Sequence, residues 1–302
     1  MKSVNQERIV QTSVIVCTKD RAKTLINLLA SLSNQTMKPN EVIIVDASKN
    51  DDTKILIDEI SIQLPYEIFY KKALPSSARQ RNIGAAISRG NYLFFFDDDV
   101  VLDSDYIRII MDTFSKFENC QLGGITGRIV NIKQSKKKLD TLFRKVFFLS
   151  DIGDGKVKLS GFPSSRIDEK ETYVGLLSGC NMVFPKAIFL QFMFDEIFDG
   201  YSYMEDVDLS YRVGKRYPLY YQPKARVNHY STSYKEYDSK QLRKMMIQSH
   251  RYLFKKNQQQ DLKHILSHWI SIVGVLLYNG LILRDLRACR GIFEGLLEPL
   301  EC

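Results

Sequence analysis

The chain has 302 residues, 44% hydrophobic and 26% charged, which is ordinary for a globular protein and long enough for one large α/β domain plus an appendage. Its five cysteines (Cys17, Cys120, Cys180, Cys289 and Cys302) are scattered with no CxxC spacing, which argues against a disulfide framework or a zinc site and fits a reducing cytoplasm. The formal net charge of +8 is uneven: between Arg212 and Lys256 twelve cations face only Glu236 and Asp238, a segment of +10, and such a basic block suggests a polyanionic partner or an anionic membrane face.

Residues 1–13 are polar, with no apolar core of a signal peptide, so no secretory signal is expected. Val14-Ile15-Val16-Cys17 is a short apolar run that leads into the polar Thr18-Lys19-Asp20-Arg21. Leu25, Leu28, Leu29 and Leu32 then repeat at helical spacing. Val42-Ile43-Ile44-Val45 is a second run, ending in Asp46. A carboxylate there can accept hydrogen bonds from a nucleotide's base or ribose, and it can equally cap the next helix. Tyr66 to Tyr70 predicts a third, weaker strand. Ser76 or Ser77 then caps a helix whose first turns hold Arg79 and Arg81. Guanidiniums at that end oppose the helix dipole unless an anion sits there too. No GxGxxG or GxxxxGK[ST] is present, which disfavours a Rossmann dinucleotide site or a P-loop.

Tyr92 to Phe96 runs directly into Asp97, Asp98 and Asp99. The run reads as a strand buried on both faces. Three adjacent carboxylates repel and lose hydration unless the strand ends in a wet cleft or beside a cation, and hard oxygen ligands suit Mg²⁺ or Mn²⁺. Alternating strands and helices over the first hundred residues predict a mostly parallel sheet with helices on both faces.

The second half is less regular. Gly123 to Val130 predicts a strand, and 131–172 is a polar stretch containing Lys136-Lys137-Lys138. Ser178-Gly179-Cys180-Asn181 sits in an apolar segment, and Phe194-Asp195-Glu196 follows. Glu205-Asp206-Val207-Asp208 opens a helix in which Asp208 pairs with Arg212, and a carboxylate projecting from such an N-terminus can act as a general base. His229 follows a short strand, and a neutral imidazole suits a cation that already has carboxylates. Lys240 to Lys256 reads as a basic helix. Trp269 to Leu283 is strongly apolar but short of the roughly 20 residues that span a bilayer, so an interfacial or packing helix is expected.

Taken in order, Val14 to Arg21, Val45-Asp46-Ala47-Ser48, Ala78 to Gly84, Asp97-Asp98-Asp99 and Glu205 to Arg212 resemble the motifs of an inverting family 2 glycosyltransferase with the GT-A fold. The resemblance covers about residues 10–232. It implies a GT-A α/β domain over 1–232, with 131–172 as a variable acceptor-side region and 233–302 as a helical extension. It implies that Thr18, Arg21, Asp46 and Arg79 hold the donor nucleotide. Asp97 and Asp99 match the ends of a DxD motif, Asp97 towards the ribose and metal and Asp99 on the metal. Asp98 is grouped with the nucleotide-binding residues, its own role left open. His229 is a further metal ligand, Gly179 and Asn181 wall the sugar pocket, and Asp206 is the base, with Glu205 its fallback.

The implied reaction moves a hexosyl or N-acetylhexosaminyl group to a hydroxyl of a glycan or lipid-linked glycan. The donor is a UDP-sugar ahead of dTDP- or GDP-sugars, and Mn²⁺ or Mg²⁺ assists. The protein is then cytoplasmic and peripheral on the inner face of the plasma membrane through 240–290, with no nucleic-acid partner and scope for a homo-oligomer. A similar tail occurs in bacterial members that build surface polysaccharide. The rivals are a nucleotidyltransferase on a related fold and a non-catalytic polyanion- or membrane-binding protein.

Overall fold

In the computed structural model, whose described residues are 11–132, 138–149, 153–197, 202–230 and 237–299, the apolar runs form the middle of a nine-stranded sheet. Strands β1 (Thr12–Thr18), β2 (Glu41–Asp46), β3 (Glu67–Lys72) and β4 (Tyr92–Asp97) pair in parallel in the order β3-β2-β1-β4. Helices α1 (Ala22–Ser33), α2 (Asp52–Ile60) and α3 (Ser77–Ile87) connect them. The runs lack alternation because both faces are covered. Val14, Val16, Phe94 and Phe96 enter one core with α1, while Ile15, Leu93 and Phe95 enter the other with α3. Each such side chain contributes about 1.5–3 kcal/mol when fully buried.

The second half is mixed rather than parallel. After β5 (Val100–Leu102) come α4 (Tyr106–Lys116), β6 (Gly124–Ile129), α5 (Lys138–Val146), β7 (Thr172–Val174) and β8 (Asn181–Pro185). Then follow α6 (Lys186–Phe192), α7 (Glu205–Gly214) and β9 (Leu219–His229). β8 starts beside Phe96, at the carboxyl end of β4, and so runs against it. It is also antiparallel to β6, whereas β9 runs parallel to β6 and antiparallel to β5 and β7.

Three helices close the chain: α8 (Ser239–Asn257), α9 (Leu262–Leu277) and α10 (Leu286–Leu297). Asp238, Asp261 and Asp285 cap them, each accepting from the amide three residues on. α10 lies so close to α8 that a Cβ on Gly291 would strike the Lys240 carbonyl. The apolar stretch expected at 269–283 is longer in the fold. α9 begins at Leu262, where Asp261 caps it, so Lys263 and His264 sit in its first turn, and a π-helical turn at Tyr278–Ile282 extends it. The 21-residue helix Leu262–Ile282 is long and apolar enough, by length and composition, to cross a membrane.

Two expectations change here. The basic helix does not offer its cations as one polyanion site. Lys240 pairs with Glu294 at 2.9 Å, Lys244 with Glu298 at 2.6 Å and Lys256 with Asp195 and Asp208, while Arg251 donates to the Gly295 and Glu298 carbonyls. Nor does packing follow the sequence boundary. Leu149 and Phe162, from the polar 131–172 region, share a core with Met246, Ile272 and Ile292 of the terminal helices, and Phe143 and Phe147 pack onto it. The boundary at 232/233 and the lysines Lys136 and Lys137 lie outside the described residues.

Candidate active site

The carboxyl ends of β1 and β4 and the amino ends of α3 and α7 surround a cleft of about 590 Å³. Register brings the parts together. Cys17 stands opposite Asp97 across β1 and β4, so Thr18, one residue on, reaches the acidic turn and donates to Asp98 Oδ2 at 2.6 Å. Val100 stands opposite His229 across β5 and β9, which delivers the imidazole to the same turn. His229 Nε2 lies 3.1 Å from Asp99 Oδ1 and 3.7 Å from Asp97 Oδ2.

The three aspartates separate into different roles. Asp98 is fully buried and holds Arg21 at 2.8 Å as well as Thr18, so it fixes two cleft residues rather than facing the cleft. Burial pushes its carboxyl up to about 7, against the lowering pull of Arg21 and Thr18. Asp97, Asp99 and His229 offer ligand atoms within 4.8 Å of one another. Two carboxylates and an imidazole in that span fit a divalent cation. Burial pulls the His229 ring down, but the Cys180 sulfur and the carboxylates of Asp99 and Asp97 reverse this and hold it up at about 12. The cluster thus already attracts positive charge.

Opposite stands the α7 amino end. Asp206 is half-buried on the cleft wall, its Oδ2 accepting from the Gly179 amide at 2.9 Å and its Oδ1 from the Val207 amide at 2.8 Å. Glycine at 179 suits this close approach: a Cβ there would sit 2.9 Å from Asp206 Oδ2 and push the carboxylate aside. Burial raises the Asp206 carboxyl, while Arg81 and the two amides lower it. Glu205 is turned inward onto Arg81. Burial pushes it up to about 8, against Arg81 and with help from Asp206.

Arg81 is the residue the sequence reading named without a role. Its buried guanidinium bridges Glu205 and Asp97, the latter at 2.8 Å, and donates to the Gly179 carbonyl. Phe194 lies beneath it, the guanidinium carbon 5.3 Å from the ring centroid. Burial lowers its affinity for the proton, yet Glu205 and Asp97 raise it further, so it stays charged. Its neighbour Arg79 is not brought to the cleft. Two residues apart on a helix is about 200°, so Arg79 points outward and pairs with Glu196 at 3.4 Å. Ala78 and Ala85, three and four residues from Arg81, mark its face as the buried one.

Three more expected residues lie outside the cleft wall, Asp99 among them: it is buried behind it against His229 and borders a second, smaller cavity with Lys23, Thr24 and Tyr230. Asp46 is buried and accepts from the Ser48 amide and the Tyr70 hydroxyl, each at 2.8 Å. Asn181 is also buried, its Oδ1 accepting from Thr126 Oγ1 at 2.6 Å and the Gly127 amide at 2.8 Å, which ties β8 to β6. Thr18, Arg21, Asp97, Gly179, Glu205, Asp206 and His229 do line the cleft. Asp208 pairs with Arg212 at 2.7 Å as the spacing predicts, and also with Lys256 of α8.

Comparison with known proteins agrees with this layout. A model of glycosyl transferase family 2 matches residues 13–193. An uncharacterized glycosyltransferase of Haemophilus influenzae is 34% identical over 87 residues, 29% of each chain. A cholesterol galactosyltransferase of Borreliella burgdorferi is 27% identical over 101 residues, 33% of this chain and 28% of that one. The chain thus spans less than a third of the length of either relative. Among solved structures, GalNAc-T7 with UDP, GalNAc and Mn²⁺ superposes with a TM-score of 0.58 at 16% identity, over 74% of this chain and 44% of that one. Residues 1–349 of Staphylococcus aureus TarS superpose with a TM-score of 0.53 at 16% identity, over 95% and 81%. At this identity the structures show the shared fold, the GT-A arrangement that the motifs imply.

Proposed function

From the premise that the chain belongs to glycosyl transferase family 2, we propose that it transfers a sugar from a nucleotide-sugar donor to an acceptor hydroxyl with inversion, with Asp206 as the base. The observation that carries this reading is the split cleft: a cation-attracting cluster, Asp97, Asp99 and His229, on one side, and a single positioned carboxylate, Asp206, on the other.

A divalent cation held by Asp97, Asp99 and His229 would supply Lewis-acid neutralisation of the departing diphosphate. Thr18 and Arg21, locked by Asp98, hold the nucleotide end of the donor. Arg81 keeps Asp97 and Glu205 in place and adds positive charge beneath the diphosphate. Asp206, fixed by two amides, takes the proton of the acceptor hydroxyl. The oxygen so freed attacks the anomeric carbon as the bond to the diphosphate breaks, so configuration inverts in one displacement. Glu205 is engaged by Arg81, which supports Asp206 over Glu205 as the base and a single displacement over a retaining route through a second carboxylate.

The galactosyltransferase among the relatives supports a sugar donor, and the UDP bound to the fold neighbours GalNAc-T7 and TarS supports a UDP-based one. The acceptor is read as a glycan or lipid-linked glycan, approaching past Asn131, Ile132, Pro163 and Ser165, which line the cleft. Thermal shift with UDP-, dTDP- and GDP-sugars, with and without Mn²⁺, tests the donor and the metal together. A donor at about 100 times its Kd adds roughly 2.7 kcal/mol of stability. Asp99→Ala is expected to abolish the Mn²⁺-dependent part of that shift. If no nucleotide sugar stabilises the protein and pyrophosphate is released from a nucleoside triphosphate instead, the nucleotidyltransferase reading replaces this one.

A further inference from the structure

One face of the terminal helices is apolar and uncovered. Along α9, Leu262, Leu266, Trp269, Ile270 and Val273 are all exposed, at the spacing of a single helical stripe. Leu281 and Ile282 within the π-helical turn, and Leu283 just after it, continue it. α5 packs beside α9, where a Cβ on Gly274 would strike Phe147, and it adds exposed Leu142 and Val146. A continuous patch of this kind on a soluble fold marks an interaction surface.

The charges around the stripe identify the partner. Lys263 stands at one end, Arg284 and Arg287 at the other and Lys145 on α5, all exposed. None of these four is within salt-bridge distance of a carboxylate among the described residues, in contrast to the paired cations of α8. The neighbouring acids are engaged: Asp261 and Asp285 cap helices, Asp140 pairs with Arg144, and Glu294 with Lys240 and Arg290. A second copy docked face to face would bring cations to cations with no acid to meet them. An anionic lipid surface answers both features.

We propose that the stripe from Leu262 to Leu283, with Leu142 and Val146 of α5, docks this protein onto an anionic membrane surface, lying in the interface rather than crossing it. The opposite side of α9 excludes crossing. Ser267, His268, Ser271 and Asn279 are buried there. His268 Nδ1 meets the Ser160 carbonyl at 3.0 Å, and Asn279 accepts from Arg243 at 3.2 Å. Insertion of the helix would strip His268 and Asn279 of these partners in hydrocarbon.

Docking also orients the cleft. The Ser160–Ser165 segment is held by α9 through Ser160 and by α8 through Phe162, whose ring stacks on His250 at 3.7 Å. Pro163 and Ser165 of the same segment line the cleft. The consequence, an acceptor carried on lipid, rests on the transfer reading above. The docking does not, and its assay contains no nucleotide.

Trp269 is the sole tryptophan, so intrinsic fluorescence reports this face alone. The intact protein is mixed with vesicles of phosphatidylglycerol and phosphatidylcholine, or of phosphatidylcholine alone, then floated on a density gradient. Expected are flotation with the anionic vesicles, a blue shift of the emission, quenching by bromine-labelled lipid, and loss of binding in high salt. Val273→Asp, on the exposed face, should weaken partitioning about tenfold or more. Arg284→Glu with Arg287→Glu should do the same for anionic vesicles, with unchanged melting as the folding control. The proposal is overturned if the wild type stays at the bottom of the gradient or if the charge-reversed variant floats as well as the wild type. It is equally overturned if light scattering shows a dimer that Val273→Asp dissociates without change in flotation, since a second copy then covers the stripe.

Discussion

The cleft and the terminal helices handle charge in opposite ways. In the cleft, Arg21, Arg81, Asp97, Asp98, Asp99 and Glu205 come from four separate elements and meet with most of their side chains withdrawn from water. In the helices, Lys240, Lys244, Glu294 and Glu298 meet across one helix pair and keep about a third or more of their side chains exposed. Breaking a buried pair strands a charge and costs about 3–5 kcal/mol, whereas an exposed pair is worth about 0–1 kcal/mol. The cleft therefore gains fixed geometry from charge, and the helices gain only registration. The cations that the helices leave unpaired border their apolar stripe.

The largest effect expected from breaking this contrast is on turnover. Asp206→Asn removes the base and keeps an oxygen for only one of its two amide donors, a loss of roughly 0.5–1.5 kcal/mol that leaves the protein folded. Release of nucleoside diphosphate is expected to fall about 10²–10⁴-fold, with unfolding still cooperative and vesicle binding unchanged. Near-normal turnover would move the base elsewhere. Next is Arg81→Met, which leaves Asp97 and Glu205 without their shared partner. Urea unfolding should report a loss of roughly 3–5 kcal/mol.

That loss should grow with pH, because of Glu205. Its folded value of about 8 lies far above an ordinary glutamate, and burial is the main cause. A raised carboxyl favours the folded state at low pH, and that contribution is lost as pH rises through about 8. Above it Glu205 is an anion that needs Arg81; below it the carboxyl is neutral and needs Arg81 less. Urea unfolding of both proteins at pH 6 and pH 9 checks the sign, and an equal difference at both would place Glu205 as a permanent anion. The same burial raises Asp206. Since the base must be ionised, the acid limb of kcat/KM should lie above the roughly 4 of an ordinary aspartate.

How far the site was legible depends on how local each signal is. Buried strands announce themselves as short apolar runs, and Thr18, Asp97 and Asp206 sit directly at element ends, so sequence adjacency found them. His229 depended on the pairing of β5 with β9, which no local pattern shows, and only the chemistry of the acidic turn suggested it. Asn181 fell to the same blindness in reverse: its tie to Thr126 and Gly127 crosses the β6–β8 pair and makes it a structural link. Arg79 was preferred over Arg81 although Ala78 and Ala85 already showed which face of α3 is buried. Helix α4 is legible in the helical spacing of Ile107, Ile110, Met111 and Phe114, all of which it buries. The basic block is legible only as net charge, which counts cations without their partners: Lys240, Lys244 and Lys256 of α8 pair with Glu294, Glu298, Asp195 and Asp208.

The smallest expected effect tests that last distinction most directly. Lys244 pairs with Glu298 at 2.6 Å, with the side chains 32% and 43% exposed. Lys244→Ala should cost about 0–1 kcal/mol in urea unfolding, shrinking further in high salt as the pair is screened. Turnover should not change, since the pair is remote from the cleft. Flotation with anionic vesicles should not change either, because this cation is already engaged inside the bundle, unlike Lys263, Arg284 and Arg287. A clear loss of flotation in Lys244→Ala would mean that paired and unpaired cations act on lipid alike. The division between an inward-paired α8 and an outward-facing α9 would then fail, and the whole +10 block would return as the docking charge.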